Sequence, residues 1–157
     1  MVVDIGNPAP DFTLPDHERK ARNLSEFRGK KLILAFFPGA FTGVCTREAC
    51  VFRDELSNLN VLNAQVVGIS VDSPFAQKAF ATANNITFPF LSDYNRETVT
   101  RYDIALNDFA GLQGYVSAKR SIFILDSQGI VRYRWITDDP GVEPNYVEVK
   151  EELAKIG

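Results

Sequence analysis

The residues in this sequence with the clearest capacity for chemistry are its two cysteines, Cys45 and Cys50. They lie five positions apart, behind the run Phe36-Phe37-Pro38-Gly39-Ala40-Phe41-Thr42-Gly43-Val44. A cysteine attacks as its thiolate, so what matters is whether its surroundings favour a negative sulfur. Pro38-Gly39 stops an apolar run and Thr42-Gly43 reads as the start of a helix, which puts Cys45 in the helix's first turn. Unpaired N–H groups and the helix dipole favour an anion there, so the expected chemistry is nucleophilic attack by the Cys45 sulfur. A bond between sulfurs this close in sequence removes little entropy from the unfolded chain, so any pairing of the two belongs to chemistry more than to scaffolding. With two cysteines and a single remote His17, a Cys/His zinc site lacks ligands within one chain, and no metal or cofactor is expected. Gly39 to Gly43 has neither a Walker lysine nor the spacing of a dinucleotide loop.

The elements that must position Cys45 can be read from hydrophobic pattern. Lys31-Leu32-Ile33-Leu34-Ala35-Phe36-Phe37 and Gln65-Val66-Val67-Gly68-Ile69-Ser70-Val71 are short continuous apolar runs, as expected of strands buried on both faces. The segment between them, from about Thr42 to Asn60, is long enough for a helical crossover, which makes a βαβ unit with a parallel pair. Ser73-Pro74 opens a second helix reaching Asn84-Asn85, with serine at the cap and proline at the first helical position. In Phe88-Pro89-Phe90-Leu91 the proline restricts any strand to an edge or a short piece. A short helix is expected from Arg96 to Tyr102, then a loop over Asp103 to Lys119. Ser121 to Leu125 and Ile130 to Ile136, joined by Asp126-Ser127-Gln128-Gly129, predict a hairpin with Gly129 at positive φ. A helix from about Asn145 to Lys155 follows. This order fits one α/β domain over residues 1–157 with a thioredoxin-like fold, a central mixed sheet flanked by helices.

At about 100° per residue, Cys45, Ala49, Phe52, Leu56 and Leu59 form the core-facing stripe of the crossover helix. Cys50 lies about 140° from Cys45, on the side of Asp54 and Ser57, and about 8 to 9 Å away along an ideal helix. Disulfides need Cα atoms closer than about 7 Å, so a Cys45–Cys50 bond requires the helix start to unwind.

The chain has 157 residues, 45% of them hydrophobic, and a net charge of −3 with basic residues scattered. Nucleic acid is excluded as an expected partner by the lack of a basic stripe. The N-terminus lacks a basic head followed by a long apolar run, and no later stretch has the length of a membrane span. The expectation is a soluble, cytoplasmic protein with no membrane partner.

The stretch around Cys45 resembles the peroxiredoxin family, whose motif Pro-x-x-x-Thr-x-x-Cys is matched by Pro38, Thr42 and Cys45. Gly6 to Leu14, Phe88 to Asp93 and Arg120 to Asp126 are similar to family landmarks in the same order, so the resemblance covers nearly the whole chain. Cys45-Thr46-Arg47-Glu48-Ala49-Cys50 resembles the PrxQ or bacterioferritin comigratory protein group, and Phe-Thr-Gly-Val-Cys is also similar to the AhpE-like group. The resemblance implies a thiol peroxidase in which Cys45 attacks hydrogen peroxide or an organic hydroperoxide and becomes a sulfenic acid. It makes Arg120 the site cation, gives Thr42 the contact between thiolate and peroxide, and lets Pro38 shield the sulfenic acid from water. Cys50 would resolve that acid as a disulfide, opened by a thiol reductant protein such as thioredoxin. Family members are monomers or homodimers.

Taken singly, these residues have plainer readings. Cys50 could simply pack or lie idle, Thr42 could serve as an N-cap, Pro38 as a strand stop, and Arg120 as a strand-end surface charge. Glu48, one turn after Cys45, reads as an exposed helix-face carboxylate, with the orienting of an arginine as the alternative. His17 sits in a polar turn with no catalytic role expected, and Phe36, Phe37 and Phe41 read as mostly core, Phe41 with the further option of edging a peroxide pocket. A one-cysteine peroxidase, a protein thiol-disulfide exchanger, disfavoured by the missing C-x-x-C, and a redox-sensing module are the competing functions.

Overall fold

The computed structural model describes residues 3–157. In chain order the strands and helices are β1 (Thr13–Pro15), β2 (Ala21–Asn23), β3 (Lys31–Phe36), α1 (Gly43–Val61), β4 (Ala64–Ser70), α2 (Pro74–Ala83) and β5 (Phe90–Ser92). There follow α3 (Glu97–Arg101), β6 (Ala105–Leu106), β7 (Ser117–Ala118), β8 (Ser121–Leu125), β9 (Val131–Ile136) and α4 (Tyr146–Ala154).

Five strands form the central sheet in the order β5-β4-β3-β8-β9. β3 and β4 pair in parallel across α1, β4 and β5 are parallel, and β8 runs antiparallel to both β3 and β9. This is the mixed sheet of a thioredoxin-like fold, with Lys31 opposite Ala64 and Phe36 opposite Ile69. The apolar runs are continuous because both faces are covered. Along β3, Leu32, Leu34 and Phe36 enter one core with Tyr102 and Phe123, while Ile33 and Ala35 enter the other with residues of α1, α2 and α4.

Local signals set several boundaries. The Ser73 side chain accepts from Ala76 N at 3.2 Å and caps α2, with Pro74 as its first residue. Asp126 accepts from the amides of Gln128 and Ile130 at 2.9 and 3.0 Å, and Gly129 at φ +84° completes the β8–β9 turn. Pro89 falls just before β5, which is indeed a three-residue edge strand. Residues 103–119 are not a plain loop. They hold the two-residue pair β6–β7 and a 3-10 turn at Phe109–Gly111, tied in by Lys119 N donating to Ile104 O at 2.7 Å. β1 and β2 form a further small antiparallel pair, too short and interrupted by Pro15 to register in the hydrophobic pattern. Among the described residues no helix is long and apolar enough to cross a membrane.

Candidate active site

The site is built where β3 ends and α1 begins. Phe37 continues the ladder by donating to Ile69 O at 3.0 Å, and then Pro38 and Gly39, both buried, turn the chain out of the sheet. The Pro38 carbonyl accepts the Ser117 hydroxyl proton, which ties the turn to β7. Ala40 N donates to Asp72 Oδ2 at 2.8 Å, and the same oxygen accepts from Ser70 Oγ at 2.8 Å. Between these anchors Phe41 is held at φ +64°, in the left-handed region a side chain rarely occupies. Phe41 is 59% exposed and its ring packs edge-on against Phe80, so it is a surface residue of the turn and not the core residue its type suggests.

Thr42 occupies the N-cap position of α1, but its side chain makes no capping bond. The hydroxyl donates to Gly39 O at 2.8 Å instead. The first-turn amides at Gly43, Val44 and Cys45 therefore keep no side-chain partner from the cap, and they surround Cys45 with donor groups.

Cys45 is 1% exposed. Its sulfur accepts from Arg120 Nη2 at 3.2 Å. Arg120 immediately precedes β8, is itself 1% exposed, and its carbonyl accepts from Thr137 N at 3.1 Å. The guanidinium is shared three ways: Nη2 also donates to Pro140 O at 2.9 Å and Nη1 to Glu48 Oε2 at 2.8 Å. Burial works against the Arg120 charge, and the pull of Cys45 and Glu48 outweighs it, leaving its pKa above the ordinary value. Among the described residues its Nε and Glu48 Oε1 have no hydrogen-bond partner.

Glu48 is the residue whose place the sequence pattern misjudged. It is 2% exposed, paired with Arg120, and not a solvent-facing carboxylate. Burial pushes its carboxyl up to about 7; Arg120 pulls against this and Glu143 adds to it. The stripe itself held the signal. On the helical wheel Glu48 lies about 20° beyond Leu59, just outside the buried arc and close enough to be drawn in, and a buried carboxylate demands a cation. Glu143 accepts the Tyr146 hydroxyl proton at 2.9 Å and pairs with Arg47 at 3.4 Å, and Tyr146, raised by burial and by Glu48, stacks edge-on against Phe52.

The structure thus brings Cys45 and Arg120 into contact, places Thr42 and Pro38 in the adjoining turn, and adds Glu48. Cys50 stands apart. It is part-buried on the same unbroken helix, both cysteines are free, and its sulfur lies 3.9 Å from Asn84 Oδ1 at the end of α2. His17 Nδ1 accepts from Phe90 N at 3.2 Å and belongs to the packing of β5.

A sulfur held beside a buried arginine at an open helix start can attack an electrophile while the arginine and amides hold the oxygen that departs. Known proteins resemble this chain over most of its length. The AhpC/TSA family model matches residues 5–134. A Coxiella burnetii protein named for peroxiredoxin bcp is 36% identical over 135 residues, covering 86% of this chain and 89% of that protein. The chloroplastic peroxiredoxin Q of Populus jackii is 36% identical over 130 residues, covering 83% of this chain and 59% of its own. The crystal structure of the peroxidoxin BcpB from Mycobacterium tuberculosis superposes with a TM-score of 0.82 at 29% identity, over 97% of this chain and 95% of that one.

Proposed function

The chain belongs to the AhpC/TSA family and is a thiol-dependent peroxidase, and we propose that Cys45 is its attacking sulfur and Cys50 its resolving one. The observation that carries the assignment is the 3.2 Å contact from Arg120 Nη2 to Cys45 Sγ, between two residues each 1% exposed. In the first step the Cys45 thiolate attacks one oxygen of the hydroperoxide. The S–O bond forms, the O–O bond breaks, and the second oxygen leaves with the electron pair and takes a proton to become water or an alcohol. Arg120 and the amides of the first helical turn offer donors to that oxygen as charge builds on it. Thr42 has committed its own proton to Gly39 O, so its oxygen presents a lone pair to the O–H of the incoming peroxide. Pro38, buried beside Gly39, walls the turn against water.

The sulfenic acid then meets Cys50. The two sulfurs are carried on one continuous helix, so the Cys45 turn has to come away before they can join. The resulting disulfide is opened by exchange with an external dithiol of the thioredoxin kind, a step suited to the reducing cytoplasm.

The test combines stopped-flow oxidation with mass spectrometry after one equivalent of hydrogen peroxide. The expected product is an internal disulfide, absent in Cys50→Ser, with no oxidation in Cys45→Ser. A wild-type chain whose sulfenic acid persists until an external thiol arrives is a one-cysteine enzyme instead. An inert Cys45 removes the reading altogether.

A further inference from the structure

Cys50 has surroundings of its own, none of which peroxide attack on Cys45 uses. Its thiol donates to Asn84 Oδ1 across 3.9 Å, and Asn84 is the residue that ends α2. The Asn84 side chain is fixed in turn, because its Nδ2 donates to Phe80 O at 3.0 Å. The backbone carbonyl of this same asparagine accepts from Arg53 Nη1 at 2.7 Å. Arg53 lies three residues after Cys50 and therefore on the same face of α1. One residue of α2 thus receives both the second thiol and a guanidinium, which pins the middle of α1 to the end of α2 and holds a cation beside Cys50. Asp54 Oδ1 takes the Nε of Arg53 at 2.9 Å and partly offsets its charge; Asp54 is the more exposed of the two, at 67% against 30%.

We propose that Arg53 is a positioning residue for the second half of the cycle: anchored on Asn84, it keeps the Cys50 turn in place while the Cys45 turn comes away, and it steadies the Cys50 sulfur as the thiol gives up its proton. The role rests on Cys50 being the resolving cysteine. In that step the Cys50 thiol loses its proton to solvent and its sulfur attacks the Cys45 sulfenic sulfur. The S–S bond forms, the S–O bond breaks, and hydroxide leaves and is protonated to water. The Cys45 sulfur is reduced by one electron and the Cys50 sulfur oxidised by one. Arg120 touches the first sulfur directly, whereas Arg53 acts on the second through Asn84, which both it and Cys50 engage.

The local charge can be read without turnover. In the full-length Cys45→Ser chain, Cys50 is alkylated with anionic iodoacetate and with neutral iodoacetamide at one pH and low salt. Both reagents consume the same thiolate, so the ratio of their rates reports the charge beside the sulfur. Arg53→Met is expected to lower that ratio by about three- to fivefold, Arg53→Lys to restore most of it, and Asp54→Asn to raise it. A ratio unmoved by Arg53→Met overturns the charge role. In the chain with both cysteines, Arg53→Met is expected to slow disulfide formation on the order of tenfold, the effect of losing roughly 1.4 kcal/mol of stabilisation, while Cys45 oxidation keeps its rate. No internal disulfide in the wild type removes the reading on which the role rests. A wild-type disulfide that forms just as fast in Arg53→Met overturns the role of Arg53 alone.

Discussion

The buried pair of Glu48 and Arg120 makes a prediction that can be worked through to a number. A carboxyl with an ordinary pKa of 4.5 that burial pushes up to about 7 binds its proton more tightly in the native state than in the unfolded chain. At 1.36 kcal/mol per pH unit that difference is worth about 3 kcal/mol. Its sign follows from which state holds the proton. Between pH 4.5 and about 7 the native protein keeps it and the unfolded chain has lost it, so stability falls as pH rises. The contribution is fully present below about pH 4.5 and gone above about pH 7. Asp16 and Asp126 act in the opposite direction and at lower pH: burial raises them, but backbone amides and nearby arginines together hold both below the ordinary carboxylate range. The measurement is therefore a difference between two chains. Urea unfolding followed by far-UV dichroism at pH 5, 6, 7 and 8 compares a parent chain that keeps Glu48 with its Glu48→Gln variant, both carrying Cys45→Ser so that the thiol drops out. The glutamine keeps the shape and the bond to Arg120 but cannot titrate. The parent is expected to lose about 2.5 kcal/mol more than the Glu48→Gln variant between pH 5 and pH 8, slightly less than the full difference because the unfolded carboxyl is still partly protonated at pH 5. Parallel stability profiles would refute the claim that this carboxyl carries a proton near neutrality.

Arg120→Met is expected to slow oxidation of Cys45 by about a hundredfold or more in stopped flow, as the loss of a preorganised donor does elsewhere. It should also destabilise the fold by less than the ~3–5 kcal/mol of a stranded charge, because Glu48 can answer by taking up a proton. Thr42→Val removes the bond to Gly39 and is expected to cost about 1 kcal/mol in unfolding and far more in the peroxide rate, whereas Thr42→Ser keeps both. Gly68→Ala would set a methyl 2.5 Å from the Phe90 ring, itself locked against Phe37, Phe80 and Phe88, and should cost about 1–3 kcal/mol by denaturant titration. Oxidation by one equivalent of peroxide should reduce the far-UV helix signal of the wild type and leave Cys50→Ser unchanged.

Much of the frame is written in residues whose effects are local. The strand β3, its stop at Pro38-Gly39, the capped start of α2 at Ser73-Pro74 and the Asp126–Gly129 turn each follow from chain chemistry within a few positions, and the structure places them as expected. Cys45 in the first turn of α1 is of the same kind. The misplacements share a different cause: they depend on partners far along the chain. Glu48 is buried because Arg120, 72 residues later, is there to receive it. The Thr42 hydroxyl turns back to Gly39 instead of capping, and Phe41 is turned outward at positive φ, within a turn whose Ala40 is tied to Asp72 across 32 residues. The pair β6–β7 has two residues in each strand, too few for any periodicity to show. Cys50 was legible as off the helix's core stripe, but its seat against Asn84 required knowing where α2 ends in space.

If Thr42 meets the peroxide as proposed, the direction of one hydrogen bond decides what kind of molecule this site will accept. Since the Thr42 hydroxyl spends its single hydrogen on Gly39 O, it has nothing left to give to a ligand and must be given one. A hydroperoxide carries that hydrogen on its terminal oxygen. A dialkyl peroxide, with carbon on both oxygens, has an equally weak O–O bond but none to offer, and its approach would leave two acceptor oxygens facing each other. tert-Butyl hydroperoxide and di-tert-butyl peroxide should therefore be told apart by a hydrogen atom as well as by size.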